Sequence, residues 1–248
     1  MPAEIPVDGT YPPLDVPKPV ADGVWVVDSG PQRVLGMPIP VRMTVLRLAD
    51  GGLWLHSPTR FSPGLAAALR ALGPIRHLVS PGTAHWIHLQ SWQAAFPEAC
   101  LWAPHGVVER ARGQGTALRA HDVLGPEPPA DWAGQIGQER LVGAGFVEIA
   151  FFHVASRTLV LCDTLQALEP ARLPWAMGLL VRALGAAGPE GGTPRHVRLI
   201  LARHRDHNRA ALGRLLALDP ARVIFAHGAW FVADGAARLR RAFAWLLR

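Results

Sequence analysis

The amino-acid sequence predicts a mixed α/β fold in which two layers of strands and helices pack together as a sandwich. Strands alternate with helices in the first half of the chain, and the middle of the chain is rich in strands. The second half returns to helices that are separated by single strands. Because a sheet and an amphipathic helix each have an apolar face to bury, this order favours packed layers around a shared core.

Length and composition limit the classes of protein that remain. The chain has 248 residues, of which 50% are hydrophobic and 18% are charged, so it can bury a large core and is not intrinsically disordered. Residues 1–20 contain six prolines and predict an extended arm before a single domain at 21–248. No apolar stretch reaches the about 20 residues of a membrane-spanning helix. The N-terminus lacks the pattern of a signal peptide, so we expect a cytoplasmic protein.

The charged residues and the cysteines exclude two further classes. The net charge is +6, but the basic residues are scattered arginines with one lysine, Lys18. We therefore expect no nucleic-acid partner, since such a partner calls for a basic patch or stripe. Cys100 and Cys162 lie in apolar, strand-like segments and predict free thiols, not a disulfide scaffold.

Local signals define the elements of the first half of the chain. Ser62 is a good N-cap, Pro63 suits the first position of a helix, and Gly73 lies just past its end. Pro97 ends a second helix, because proline cannot continue it. The expected elements are strands at 23–28, 41–48 and 52–56, a helix at 63–72, a strand at 75–80, a helix at 84–96, a strand at 100–103 and a short helix at 106–112.

The second half begins with a loop at 114–135, within which one strand is an alternative, followed by two strands joined by a tight turn at 154–157. Period-two alternation puts Glu148 and His153 on opposite faces of the first strand, so we expect Glu148 outside the site, paired with a surface arginine. The elements expected are strands at 146–153 and 158–162, a helix at 173–184, a glycine-rich loop at 186–193, a strand or helix end at 197–202, a helix at 207–218 capped by Asp206, a strand at 223–226 and a final helix capped by Asp234.

The expected helix at 173–184 carries more apolar side chains than one buried face needs. This excess predicts either a lid over a site or contact with a second subunit in a homodimer. The side chains concerned are Trp175, Met177, Leu179, Leu180 and Leu184.

Four polar residues stand out among the strand ends. His153, Asp163 and His227 each end a predicted strand, and His85 follows another strand by a short turn. Functional residues in layered α/β folds concentrate at such positions, and a neutral imidazole is the commonest metal ligand. We therefore predict that His153, Asp163 and His227 converge on one metal ion, with His85 at the rim or among the ligands.

Several phrases of the sequence resemble the DUF4336 family, and the order of strand–turn–His, strand–His, strand–Asp and strand–His-Gly resembles the metallo-β-lactamase fold superfamily. The phrases are Leu78–His85, Trp92–Pro97, Phe152–Asp163 and Ala226–Gly228. The resemblance covers about residues 20–247. It implies a four-layer αββα sandwich with a site for one or two metal ions. It also places His153, Asp163 and His227 on metal-ligand positions.

The first metal-binding segment of that superfamily, Thr-His-x-His-x-Asp-His, is altered in this chain. An ungapped overlay puts Pro81 and Thr83 on its first two histidines, His85 on its aspartate and Trp86 on its last histidine. The resemblance therefore implies that one metal position is lost and that any site is mononuclear. Such a site would hold a single divalent metal ion, with zinc as the candidate.

Structural roles compete with several of these assignments. His85 can cap a helix or pack beside Trp86, His88 fits an exposed helix position, and His153 or Asp163 can simply end a strand. The segment His204-Arg205-Asp206-His207 echoes the missing motif, but Asp206 there suits a helix N-cap, so we interpret the segment as structural. It remains the one candidate for relocated ligands.

Two functions stay open on these grounds. The first is a metal-dependent hydrolase of an ester, lactone or amide that uses a mononuclear site. The second is a metal-free ligand-binding or scaffold protein that keeps the fold. Trp86, Trp175 and Trp230 near the site predict an aromatic-lined pocket for a small apolar or aromatic molecule in either case. No G-x-S-x-G, G-x-G-x-x-G or P-loop motif occurs, which argues against a serine esterase or a nucleotide-binding fold.

Overall fold

The computed structural model describes residues 8–34 and 36–248. The larger sheet places its strands in chain order, with antiparallel pairing from β1 to β4 and parallel pairing from β4 to β7. Helices connect the parallel strands, as parallel pairing requires. The strands are β1 Lys18–Ala21, β2 Val24–Val34, β3 Met37–Arg47, β4 Leu53–His56, β5 Ile75–Val79, β6 Cys100–Ala103 and β7 Asp122–Val123.

The second sheet has the order β12-β10-β9-β8, and a short parallel pair, β11 and β13, lies beside it. Strands β9 and β10 form an antiparallel hairpin whose turn at 154–157 agrees with the sequence-based expectation. These strands are β8 Ile136–Gly143, β9 Phe146–His153, β10 Thr158–Val160, β11 Gln166–Ala167, β12 Arg222–Ile224 and β13 His227–Gly228.

Helices cover the outer face of each sheet. The first begins as its sequence predicts, because the Ser62 hydroxyl accepts a hydrogen bond from the backbone N–H of Leu65 at 3.2 Å. The α-helices are α1 Pro63–Arg70, α2 Leu89–Ala95, α3 Val107–Gly113, α4 Trp175–Ala183, α5 Arg195–Leu201, α6 Arg205–Ala217, α7 Gly235–Ala242 and α8 Ala244–Leu247. Single 3-10 turns lie at Pro170–Arg172 and Ala202–His204.

Three apolar clusters define the layers. One joins the larger sheet to α1, α2 and α3 and includes the fully buried Trp92. A second fills the space between the sheets, where Trp54 packs edge-on against Phe151 with ring centroids 4.8 Å apart. A third joins the smaller sheet to α6, α7 and α8 through residues such as Phe243. The expected four-layer αββα sandwich is therefore confirmed.

Several boundaries differ from the expectations. Helix α2 begins only at Leu89, so that His85 lies in a turn and not on a helix. Strand β8 was not expected, and the ambiguous segment at 197–202 is mostly helical. His204 occupies the N-cap position of α6, and Asp206 lies in its first turn instead of capping it.

The arm expected at 1–20 falls partly on residues 1–7, which lie outside the described residues. Residues 8–17 contain neither helix nor strand, and β1 begins at Lys18. The backbone N–H of Gly9 donates to the carbonyl of Arg172 at 2.7 Å, which ties this segment to the residues before α4.

Within the described ranges, none of the helices has both the length and the apolar content that crossing a membrane requires.

Cys100 and Cys162 are free thiols, as the sequence predicts.

Candidate metal centre

Three of the predicted side chains meet where two strand ends and a turn come together. His85 lies in the turn after β5, Asp163 follows β10, and His227 begins β13. One ligand atom from each lies within 4.8 Å of the other two. Asp163 Oδ1 is 3.1 Å from His227 Nε2 and 3.3 Å from His85 Nε2. This arrangement is called the His-Asp-His cluster below.

Hydrogen bonds to strand β3 of the opposite sheet hold His227 in place. Its Nδ1–H donates to the carbonyl of Pro40 at 2.7 Å. The buried Arg42 guanidinium donates to the carbonyls of Phe225 and Gly228, at 2.9 and 2.7 Å, on either side of the histidine. The ring of His227 is therefore oriented by strand β3 of the opposite sheet.

The bond to Pro40 determines what the other nitrogen of His227 can do. A carbonyl only accepts, so Nδ1 must carry a proton. A neutral His227 then presents the Nε2 lone pair to the Asp163 carboxylate at 3.1 Å, and two acceptors at this distance repel each other. The contact is favourable only when a second proton on the ring, or a cation, lies between nitrogen and oxygen.

His85 is oriented in a similar way from the turn after β5. Its Nδ1 is 2.6 Å from Ser57 Oγ, at the end of β4. Burial lowers the pKa of His85, but the charge and hydrogen bond of Asp163 outweigh burial and raise it overall. Next to it, His56 is fully buried, and burial followed by the charge of His85 lowers the pKa of His56 to about 3.

Asp163 is ionised in this environment. Burial raises its pKa, but the charge of His85 and the hydrogen bonds from His227 and His85 oppose burial. Together, these effects of His85 and His227 outweigh burial and hold the pKa of Asp163 well below its usual range. The carboxylate is therefore available as an anionic ligand at neutral pH.

The donor set fits a zinc ion. Zinc commonly binds histidine nitrogen and carboxylate oxygen at about 2.0–2.2 Å in tetrahedral geometry, and a catalytic site has three protein ligands and one open position. Tetrahedral ligands at that bond length are separated by roughly 3.3 Å, close to the 3.1 and 3.3 Å between the Asp163 oxygen and the two imidazoles. The partners of both Nδ1 atoms supply the outer hydrogen bonds that typically orient histidine ligands.

Glu148 supports the loop that carries Asp163. Its buried carboxylate accepts hydrogen bonds from the backbone N–H groups of Cys162, Asp163 and Thr164 at 2.9, 2.7 and 2.9 Å, and from the Thr164 hydroxyl at 2.6 Å. Burial and then the charge of Asp163 raise the pKa of Glu148 to about 7, against the effect of these donors. The expected pairing with a surface arginine is wrong.

The start of β9 also supports the turn that carries His85. The backbone N–H of Ile149 donates to the carbonyl of Pro81 at 2.7 Å, and that of Thr83 donates to Val147 at 3.3 Å. Glu148 therefore lies beneath both the turn before His85 and the loop that contains Asp163. A glutamate inside an otherwise apolar strand was the available sequence signal for such a role.

His153 does not join the His-Asp-His cluster, so its predicted convergence with Asp163 and His227 is wrong. His153 pairs with Thr158 at the start of β10, whereas Asp163 follows the end of β10. Because β9 and β10 are antiparallel, His153 lies beside Thr158, and the five residues from Thr158 to Asp163 span on the order of 15 Å when extended. The His153 ring instead contacts Ser156, with Nδ1 at 2.7 Å from Oγ.

The remaining candidates lie around or away from the cluster. His88 lines the cavity beside it. His204 is exposed at the start of α6, and His207 Nε2 donates to the carbonyl of Arg140 at 3.0 Å. The structure thus does not bring the segment 204–207 to the His-Asp-His cluster, in agreement with its structural interpretation.

A cavity of about 500 Å³ opens next to the cluster, and His85, Asp163 and His227 form part of its wall. Phe146 is the only phenylalanine, tyrosine or tryptophan among the described residues that line it. The expected aromatic lining is therefore wrong: Trp86 is buried in the core, and Trp175 is 80% exposed. Ten of the lining residues have large aliphatic side chains: Val34, Met37, Ile39, Val41, Ile87, Leu168, Val181, Leu184, Val197 and Ile200.

The backbone beside His227 requires glycine, which allows a direct test of how the cluster is supported. Gly228 has φ +97°, and a Cβ there would lie 2.2 Å from the carbonyl oxygen of Ala167. We expect Gly228→Ala to lower the free energy of unfolding by more than about 2 kcal/mol. Urea denaturation measures this change.

Gly213 is the matched control, because it lies within helix α6 and a Cβ there would meet nothing within 4 Å. Gly213→Ala should stabilise the protein by about 0.5–1 kcal/mol. Equal effects of the two substitutions would contradict the close packing of β13 against β11.

Comparisons with known proteins identify the family and the fold. The model of the family described as "Domain of unknown function (DUF4336)" matches residues 21–184. No curated protein matches the sequence.

Solved structures of metallo-β-lactamases are similar over almost the whole chain. The metallo-β-lactamase from Pontibacter korlensis has a TM-score of 0.61 at 13% identity, and the alignment covers 93% of this chain and 97% of the chain of that protein. TMB-1 has a TM-score of 0.63 at 13% identity, with 94% and 98% covered. FIM-1 from Pseudomonas aeruginosa, in its mono-zinc form, has a TM-score of 0.60 at 12% identity, with 99% and 95% covered. The chain therefore has the metallo-β-lactamase fold and belongs to the DUF4336 family.

Proposed function

We propose that the protein binds one divalent metal ion, such as zinc, through His85 Nε2, Asp163 Oδ1 and His227 Nε2, and hydrolyses an ester, lactone or amide bond in a small organic molecule. The observation that carries this proposal is the bond from His227 Nδ1–H to Pro40, which leaves Nε2 facing a carboxylate. A divalent ion bound there would polarise a substrate carbonyl and lower the pKa of a water molecule.

The surrounding residues suit this role. Ser57 and Pro40 hold the two imidazoles by their outer nitrogens, and Glu148 holds the backbone on both sides of Asp163. The aliphatic cavity wall would exclude water from the apolar part of a substrate. Such preorganisation is what a hydrolytic site requires of its protein groups.

Metal content and hydrolysis together test the proposal. Protein purified without a chelator should contain about one equivalent of zinc or another divalent metal. A panel of aryl esters, lactones and anilides should be hydrolysed, EDTA should suppress this activity, and added zinc should restore it. Hydrolysis that persists at full rate in the metal-free protein would contradict the proposal.

The alternative is a metal-free ligand-binding protein. One observation favours it: Asp163 Oδ1 lies within hydrogen-bonding distance of the Nε2 atoms of both histidines, at 3.3 and 3.1 Å, so N–H groups there would satisfy the carboxylate without a metal. Protein that stays metal-free under added zinc, yet still binds an apolar ligand in the cavity, would favour this alternative.

A further inference from the structure

The cavity beside the His-Asp-His cluster lies between two small apolar clusters that are separate from the main core. The α4 cluster consists of Leu168, Leu173 and Val181, packed with Ile39, Met177 and Ala187. The α5 cluster consists of Leu141, Val197, Leu201 and Ala211, packed with Phe146 and Trp245. Each cluster sends side chains into the cavity wall, among them Val181 from the first and Val197 from the second.

The hairpin of β2 and β3 closes another side of the cavity with Met37, Ile39 and Val41. The wall is thus built from branched and flexible aliphatic groups from three separate parts of the chain. Flat aromatic walls would favour a ring by stacking, whereas aliphatic walls offer only the transfer of apolar surface out of water.

Charge is scarce in this wall. Of the described residues that line the cavity, histidines apart, only Arg110 and Asp163 are charged at neutral pH. Arg110 is exposed, and both histidines of the cluster contact Asp163. Away from the His-Asp-His cluster, a charged group of a ligand would therefore meet only the exposed Arg110 as a permanently charged side chain, so burying such a group there is unfavourable.

We propose that the cavity takes the aliphatic acyl chain of the substrate, so that the protein hydrolyses esters or lactones of aliphatic carboxylic acids. The hydrolytic chemistry in this inference rests on the proposed function. The preference for an aliphatic acyl chain rests on the cavity alone. Hydrolysis breaks the bond between the acyl carbon and the alcohol oxygen and joins the acyl carbon to the oxygen of water. The products are a carboxylate, an alcohol and a proton.

Hydrolysis of a series of p-nitrophenyl esters by the zinc-loaded protein tests which acyl chain the cavity accepts. Because each buried methylene changes an equilibrium constant by up to about fourfold, kcat/KM should rise at least about tenfold from acetate to hexanoate. It should then level off when the chain fills the cavity. The benzoate ester, of similar size to the hexanoate, should be hydrolysed more slowly than the hexanoate. A flat profile, or a preference for benzoate, would overturn the inference.

Two matched substitutions, one on α4 and one at its C-terminal cap, test where in the cavity the acyl chain of the substrate binds. Leu184 is half-buried and lines the cavity, whereas Leu179 is 55% exposed on the outer side of the helix. Leu184→Trp should lower the ratio of hexanoate to acetate hydrolysis by at least about fivefold, since it takes the space of several methylenes. Leu179→Trp should leave this ratio unchanged. If the two variants have the same ratio of hexanoate to acetate hydrolysis, the acyl chain does not bind beside Leu184, and the inference is contradicted.

A binding experiment separates this inference from the proposed function. Calorimetric titration with free carboxylates should give octanoate an affinity at least about tenfold above that of butyrate. If the binding depends on chain length but no ester is hydrolysed, the proposed hydrolysis is wrong and the acyl-chain site stands. If esters are hydrolysed without dependence on chain length, hydrolysis stands and the acyl-chain site is wrong.

Discussion

Replacing His227 with alanine is expected to weaken zinc binding by at least about a hundredfold. The cluster would offer three protein ligands, close to the minimum for tight zinc binding, so each would contribute a large share of the binding free energy. The Nδ1–H of His227 donates to the carbonyl of Pro40, so that its Nε2 faces the proposed metal position. Competition titration against a chromophoric chelator measures the change in affinity.

His153→Ala and His204→Ala are the matched controls, because both remove an imidazole outside the His-Asp-His cluster. His153 contacts Ser156 at the opposite end of the β9–β10 hairpin, and His204 is exposed before α6. Neither variant should change zinc affinity by more than about twofold. A loss of binding in His153→Ala comparable to that in His227→Ala would show that the ligand set is misassigned.

Replacing Glu148 with glutamine should lower the free energy of unfolding by about 3 kcal/mol. The carboxylate accepts three backbone N–H groups and one hydroxyl, and an amide would turn its NH₂ group towards some of these donors. Unsatisfied buried donors and the loss of charge-assisted bonds are both costly. Urea denaturation of the metal-free protein measures the effect without a contribution from zinc.

Glu139→Gln provides the comparison for Glu148→Gln. Glu139 pairs with Arg214 at 2.5 Å, and the two side chains are 19% and 57% exposed. An ion pair that stays in contact with solvent contributes little, so this variant should change the free energy of unfolding by less than about 1 kcal/mol. If both glutamines have the same small effect, Glu148 does not support the loop that contains Asp163.

Sequence signals of short range predicted most of the secondary structure correctly. Ser62, Pro63 and Gly73 mark a helix by the chemistry of its own ends, and the turn at 154–157 follows from two apolar runs separated by a short interval that contains Ser156 and Arg157. Strand β8 was missed, because its alternation is interrupted by charged residues such as Glu139 and Arg140 that pair or lie at the surface.

The sequence also identified the three side chains that now meet. His85, Asp163 and His227 each follow an apolar strand that ends at the same edge of the sandwich. Position after a strand was enough to select them, because the strand holds the following residue rigidly. The same criterion selected His153, and here it failed because it ignores strand direction.

The direction of pairing was decided by tertiary structure. In the antiparallel hairpin, the end of β9 lies beside the start of β10, so His153 and Asp163 are at opposite ends. By the same register the start of β9 brings Glu148 beneath Asp163. Alternation along β9 predicts on which face of the sheet Glu148 lies. It does not predict which loop packs against that face.

The cavity wall likewise depended on packing between elements distant in the chain. Trp86 and Trp175 were expected at the site, yet Trp86 is in the core and Trp175 is exposed. The sequence by itself determined the layers, the strand ends and the residue types available there, because these follow from local periodicity and capping. Only the tertiary structure decided which strand ends meet and which helix faces enclose the cavity, because contacts between distant segments set the orientation of each element.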